Sequence, residues 1–68
     1  MKTMTDTDEQ DIVWYPVLDD TIGGYAISNV RLPVSEHDWT KGHMLIGSFL
    51  RESTARHICE LHNATLHN

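Results

Sequence analysis

The chain has 68 residues, 10 Asp and Glu against 5 Lys and Arg, a formal net charge of −5 with His neutral, and a single cysteine. A chain of this length buries only about 60% of the surface it exposes when unfolded, which allows one small core and excludes a second domain. One cysteine excludes an internal disulfide, scattered cations under a net negative charge argue against nucleic acid and membrane surfaces as partners, and no run approaches the roughly 18 apolar residues of a bilayer span.

Residues 1–10 hold Asp6, Asp8 and Glu9 without apolar periodicity. With nothing to bury in exchange for ordering entropy, they are expected to form a flexible acidic tail, and residues 11–68 a single domain. From Asp11 to Leu18 the residues Ile12, Val13, Trp14, Tyr15, Val17 and Leu18 make a β-branched and aromatic run of strand length. Pro16 has no amide hydrogen, so this strand belongs at a sheet edge or bulges there. Asp19-Asp20-Thr21-Ile22-Gly23-Gly24 supplies hairpin chemistry, since glycine takes positive φ and aspartate accepts from nearby amides. A second strand is predicted from Gly24 or Tyr25 to Leu32, stopping at Pro33. Pro33 to Gly42 reads as a polar connection carrying one large aromatic, with a short helical turn capped by Ser35. His43 to Leu50 is the third strand, around the mid-strand Gly47.

The last element is an amphipathic helix. Each helical residue advances about 100°, so Ala55, Ile58, Cys59, His62 and Leu66 fall on one stripe. Leu61 widens that stripe, while Arg56, Glu60, Asn63 and His67 fall opposite. The helix is expected to start at Ser53 or just before it, with the serine hydroxyl as cap, and to fade by Asn63 or a few residues later. Cys59 on the apolar stripe reads as a buried, unreactive thiol in a reducing compartment. His62 on the same stripe is expected to be a buried neutral imidazole that donates to a backbone carbonyl or a strand side chain.

The predicted fold is therefore α+β: a three-stranded antiparallel β-β-β meander with one C-terminal helix packed on one face. One helix covers one face only. Val13, Tyr15 and Val17 on the other predict an association face, and with it a homodimer or higher homo-oligomer. The alternative is that the tail or the Trp39 loop folds across that face.

Chemistry-bearing patterns are sparse. His57, His62 and His67 recur every five residues, which on a helix leaves neighbours about 140° apart and unable to converge on a metal. His37 and His43 flank a loop with Asp38 nearby, but no ligand spacing supports a site, so no metal and no cofactor are expected. The serines lack an elbow or Ser-x-x-Lys context, no phosphate loop exists, and a domain this small rarely encloses a pocket, so an enzyme is not expected. Trp39 sits in a polar loop between His37-Asp38 and Lys41. It is the best candidate anchor for a partner or ligand, with His37, Asp38, Arg31 and Lys41 as accompanying contacts.

The pattern Trp14, Gly23-Gly24-Tyr25, Ala55-Arg56-His57-Ile58 and Glu60-Leu61-His62-Asn63-Ala64 resembles small uncharacterised accessory proteins of actinobacterial phages and prophages, over roughly residues 12–66. Similar sequences carry Glu or Asp immediately before the Ala-Arg pair, where this chain has Ser53-Thr54. The resemblance transfers no activity and no functional residue. What it implies is a setting, the cytoplasm of an infected host. Size, acidity, the lack of a catalytic set and surplus apolar surface then predict non-catalytic binding to a host protein, as inhibitor or modulator, possible counter-defence included. The alternative is an oligomeric sponge that holds a nucleotide-like small molecule between subunits.

Overall fold

In the computed structural model, which describes residues 11–66, the elements run β1 (Tyr15–Leu18), β2 (Tyr25–Ser28), β3 (Leu45–Leu50) and α1 (Glu52–Thr65). The strands form one antiparallel sheet in the order β1-β2-β3, and α1 packs on β1 and β2. The α+β meander with one covering helix is thus the fold. The tail expected over 1–10, and His67, lie outside the described residues.

The β1–β2 hairpin closes through Asp19. Its amide donates to the Gly24 carbonyl at 3.0 Å and its own carbonyl accepts from Gly23 at 2.9 Å. Its buried carboxylate accepts from the Thr21 hydroxyl at 2.6 Å and from the amides of Thr21 and Ile22. The Thr21 hydroxyl, followed by those amides, holds the Asp19 carboxyl below its ordinary pKa. Gly23 and Gly24 both have positive φ, and a Cβ on Gly24 would lie 3.3 Å from the Leu50 carbonyl oxygen. That position therefore needs glycine twice over.

Register assigns the faces. Tyr15 pairs with Ser28, Pro16 with Ile27, Val17 with Ala26 and Leu18 with Tyr25. Paired residues share a face, so Ile27 and Tyr25 look toward the helix while Val17, Ala26 and Ser28 look away. On the helix side Ile27, Ala55 and Cys59 are buried, with Trp14, Tyr25, Ile46, Leu50 and Ile58 packed around them. Burial also raises the pKa of the Cys59 thiol.

The opposite face is not bare. Val17 is 6% exposed and Ala26 and Ser28 are at 0%, because the connection from Asn29 to Met44 lies across them. Leu32 and Pro33 lie beside Val17, and His37 sits on the Ser28 hydroxyl. The connection is tied down at Asp20, whose carboxylate accepts from the amide and hydroxyl of Ser35. The expected association face of Val13, Tyr15 and Val17 is therefore divided. Val17 is covered by its own chain, Tyr15 is half-buried beneath Arg31, and Val13 alone is exposed. The apolar surface that argued for sheet-against-sheet association is largely consumed within one molecule.

Strand limits differ from the sequence pattern for one recurring reason, the carboxamide side chain. Asn63 accepts from the Trp14 amide with Oδ1 and donates to the Trp14 carbonyl with Nδ2, both at 2.9 Å. It thereby stands in for a neighbouring strand, so residues 11–14, expected within β1, follow the helix instead. At the far end of β2, Asn29 donates to the Gly42 carbonyl at 2.9 Å and accepts from the Met44 amide at 2.7 Å. The ladder is continued by a side chain, and β2 stops at Ser28 instead of Leu32. Helix α1 is capped by Arg51, which makes no side-chain cap bond, so Ser53 lies inside the first turn and is not the cap. Asn63, expected in water, is half-buried.

Candidate functional site

The connection between β2 and β3 carries His37, Asp38, Trp39 and Lys41, and it is held by side-chain bonds more than by regular structure. Two 3-10 turns occupy it, Val34–Glu36 and Trp39–Lys41. The first is preceded by Pro33, not capped by Ser35, whose hydroxyl goes to Asp20. Asp38 caps the second, accepting from the Thr40 amide at 3.0 Å and from the Thr40 hydroxyl. These bonds, the hydroxyl's foremost, hold the Asp38 carboxyl below its ordinary pKa. Gly42, at φ 81°, ends that turn in the left-handed conformation.

His37 anchors the connection to the sheet. Its Nε2 lies 3.2 Å from both the Leu32 carbonyl oxygen and the Ser28 hydroxyl. A carbonyl only accepts, so Nε2 carries the proton, and the Ser28 oxygen accepts from the Val30 amide. The ring Nδ1 is buried without a partner. His43 comes within 5.9 Å of His37, ring centre to ring centre, and its Nδ1 accepts from the Asp38 amide at 2.9 Å. Trp39 stands edge-on to His37 at 5.4 Å and is 59% exposed. The result is a tryptophan presented to solvent on a turn whose backbone and underlying ring are both fixed.

The nearest thing to a catalytic pair here is Ser28 with His37. It is not arranged for nucleophilic attack, because Ser28 is fully buried and the His37 nitrogen facing it is already a donor to Leu32. Among the described residues no three His, Cys, Asp or Glu side chains converge as metal ligands.

Arg31 does not join this group. Its guanidinium lies 4.8 Å from the centre of the Tyr15 ring, on the β1 side of the molecule. Lys41 is exposed on the second turn. His62 is half-buried, stacked on Trp14 at 3.6 Å between ring centres and 10° from parallel, and its Nε2 donates to the Ile12 carbonyl at 2.8 Å.

The residue that sequence reasoning missed is Phe49. Between the pairs Ile27–Gly47 and Tyr25–Leu50, β3 takes three steps where β2 takes two, so β3 bulges. Phe49 sits in that bulge with φ 62° and is 79% exposed. Alternation alone put it opposite Leu50 in a regular strand, and nothing in the local residues marks the bulge. Comparison of the chain with family models, curated proteins and solved structures returns no match.

Proposed function

We propose that this is a small accessory protein of phage type that acts in the host cytoplasm by non-catalytic binding to a host protein, which it inhibits or modulates. One observation carries the reading: Phe49 is both strained and uncovered. A phenylalanine in the left-handed region costs on the order of 1 kcal/mol or more, and its exposed ring returns little of that by packing inside the chain. A partner pocket that takes the ring would recover it. Trp39, exposed on a fixed turn, supplies a second anchor of the residue type that dominates binding energy. Net charge −5 favours a basic partner surface, and the resemblance in the sequence supplies the host setting.

The test is affinity capture from host lysate with the full chain and with Trp39→Ala, Phe49→Ala and the double variant, fold being checked by circular dichroism. A protein captured by wild type is then purified and its affinity measured. Each single substitution is expected to weaken binding by about tenfold or more, the range of an interface anchor. A partner held equally well by the folded double variant refutes the reading.

A further inference from the structure

The open edge of β1 is not a simple strand edge. Proline cannot donate to the ladder, so Pro16–Ile27 is the non-hydrogen-bonded pair of the β1–β2 ladder, and the Pro16 carbonyl turns outward. Trp14, the previous outward-facing residue, is occupied by Asn63. Strand addition is blocked there, and what remains is a groove formed by two adjoining depressions that share Pro16 and Arg31.

Their linings differ in kind. The first, about 310 Å³, has Tyr15, Arg31, Arg56 and Glu60 on its walls with Cys59 at its base. The second, about 260 Å³, is walled by Pro16, Val17, Leu18, Leu32 and Pro33 and is apolar apart from Arg31. Among the described residues no carboxylate pairs with Arg31, and the Tyr15 ring holds its guanidinium in place. Arg56 gives Nε and Nη2 to Glu52, which leaves Nη1 uncommitted. With Glu52 on Arg56 and Glu60 on the same wall, the two guanidinium groups face two carboxylates, so the depression is locally neutral in a chain of net charge −5, and Arg31 is its cation without a carboxylate partner among the described residues.

We propose that this groove binds a small apolar carboxylate, its head group between Arg31 and Arg56 and its hydrocarbon body on Pro16, Leu18, Leu32 and Pro33. A planar carboxylate matches the guanidinium fork, Arg31 is the cation left to pair with it, and the apolar depression begins where the head group ends. The site lies within one chain and needs no second copy.

Hexanoate, acetate and hexan-1-ol separate head from body, and two-dimensional amide NMR of the full chain reads each titration. Hexanoate is expected to give saturable shifts at Tyr15, Arg31 and Leu32, with acetate and hexan-1-ol each bound at least about tenfold more weakly. From butanoate to hexanoate each methylene should add about fourfold in affinity, the gain of burying one CH₂. Arg31→Gln, at an exposed position, should cost hexanoate about tenfold and leave hexan-1-ol unchanged; Arg56→Gln should act in the same direction. Absence of saturable shifts with hexanoate, hexan-1-ol binding as tightly as hexanoate, or hexanoate indifferent to both arginine substitutions would overturn the proposal.

Discussion

Asn63→Ala removes the carboxamide that, beside His62, fastens the segment before β1 to the helix. Two hydrogen bonds of 2.9 Å, from the Trp14 amide and to the Trp14 carbonyl, are lost. Each bond is worth about 0.5–1.5 kcal/mol net, and because both are only partly buried, water repairs some of the loss, so about 1–2 kcal/mol is expected. In a domain of this size about 1 kcal/mol moves the melting temperature by about 4–8 °C, which places the fall at roughly 5–15 °C. Asn63→Asp sharpens the test. Its carboxylate still accepts from the Trp14 amide but faces the Trp14 carbonyl with a second acceptor, so at neutral pH it should destabilise more than alanine does. Compared with wild type at the same acidic pH, that deficit should shrink, since a protonated carboxyl again donates. Thermal melts followed by circular dichroism give the global figure, and hydrogen exchange at the Trp14 amide gives the local one. A melting temperature for Asn63→Ala within about 2 °C of wild type, with Trp14 exchange unaltered, would show that the amide bridge does not hold the segment.

Further outcomes follow from the same geometry. His62→Phe keeps an aromatic ring against Trp14 but removes the donor to the Ile12 carbonyl, so chemical denaturation should show a loss of about 1 kcal/mol; unchanged stability would assign the role to stacking alone. Gly24→Ala meets both a φ of 82° and the Leu50 carbonyl oxygen at 3.3 Å, and should lower the urea midpoint by more than Gly23→Ala, whose added methyl meets nothing within 4 Å. The carboxyls of Asp19, Asp20 and Asp38 are all held below their ordinary value, first by the hydroxyls of Thr21, Ser35 and Thr40 respectively. A depressed folded-state pKa adds stability that is complete above the unfolded value near 3.8 and disappears as pH falls below it. Urea midpoints should therefore drop beneath about pH 4, with Thr21→Val reducing the drop. Cys59 is 3% exposed with its thiol pKa raised by burial, so iodoacetamide should label it slowly in the native protein and rapidly in urea; fast native labelling would contradict the packed helix face.

Element type and order were legible because they depend on neighbours in the chain. Apolar spacing at 3.6 residues marked α1, glycines beside aspartates marked the hairpin, and Pro16 marked an edge strand. The candidate surface was legible in part: His37, Asp38 and Trp39 do form one cluster, whereas Arg31 leaves it for Tyr15.

The remainder depended on pairs distant in sequence. Asn63 reaches Trp14 across 49 positions and Asn29 reaches Met44 across 15, and each ends a strand that alternation would have extended. The connection that covers Val17 and Ser28 has no periodicity of its own, so its place on the sheet is decided by where Ser28, Asp20 and Asn29 offer hydrogen bonds. Phe49 owes its exposure to a register slip between strands, a property of two chains of residues aligned in space. Local composition thus determined which elements form, through backbone and side-chain preferences that act over a few residues. Tertiary structure alone decided where they stop, what covers the second face and that Phe49 is left in water, because those outcomes are set by partners that only folding brings within bonding distance.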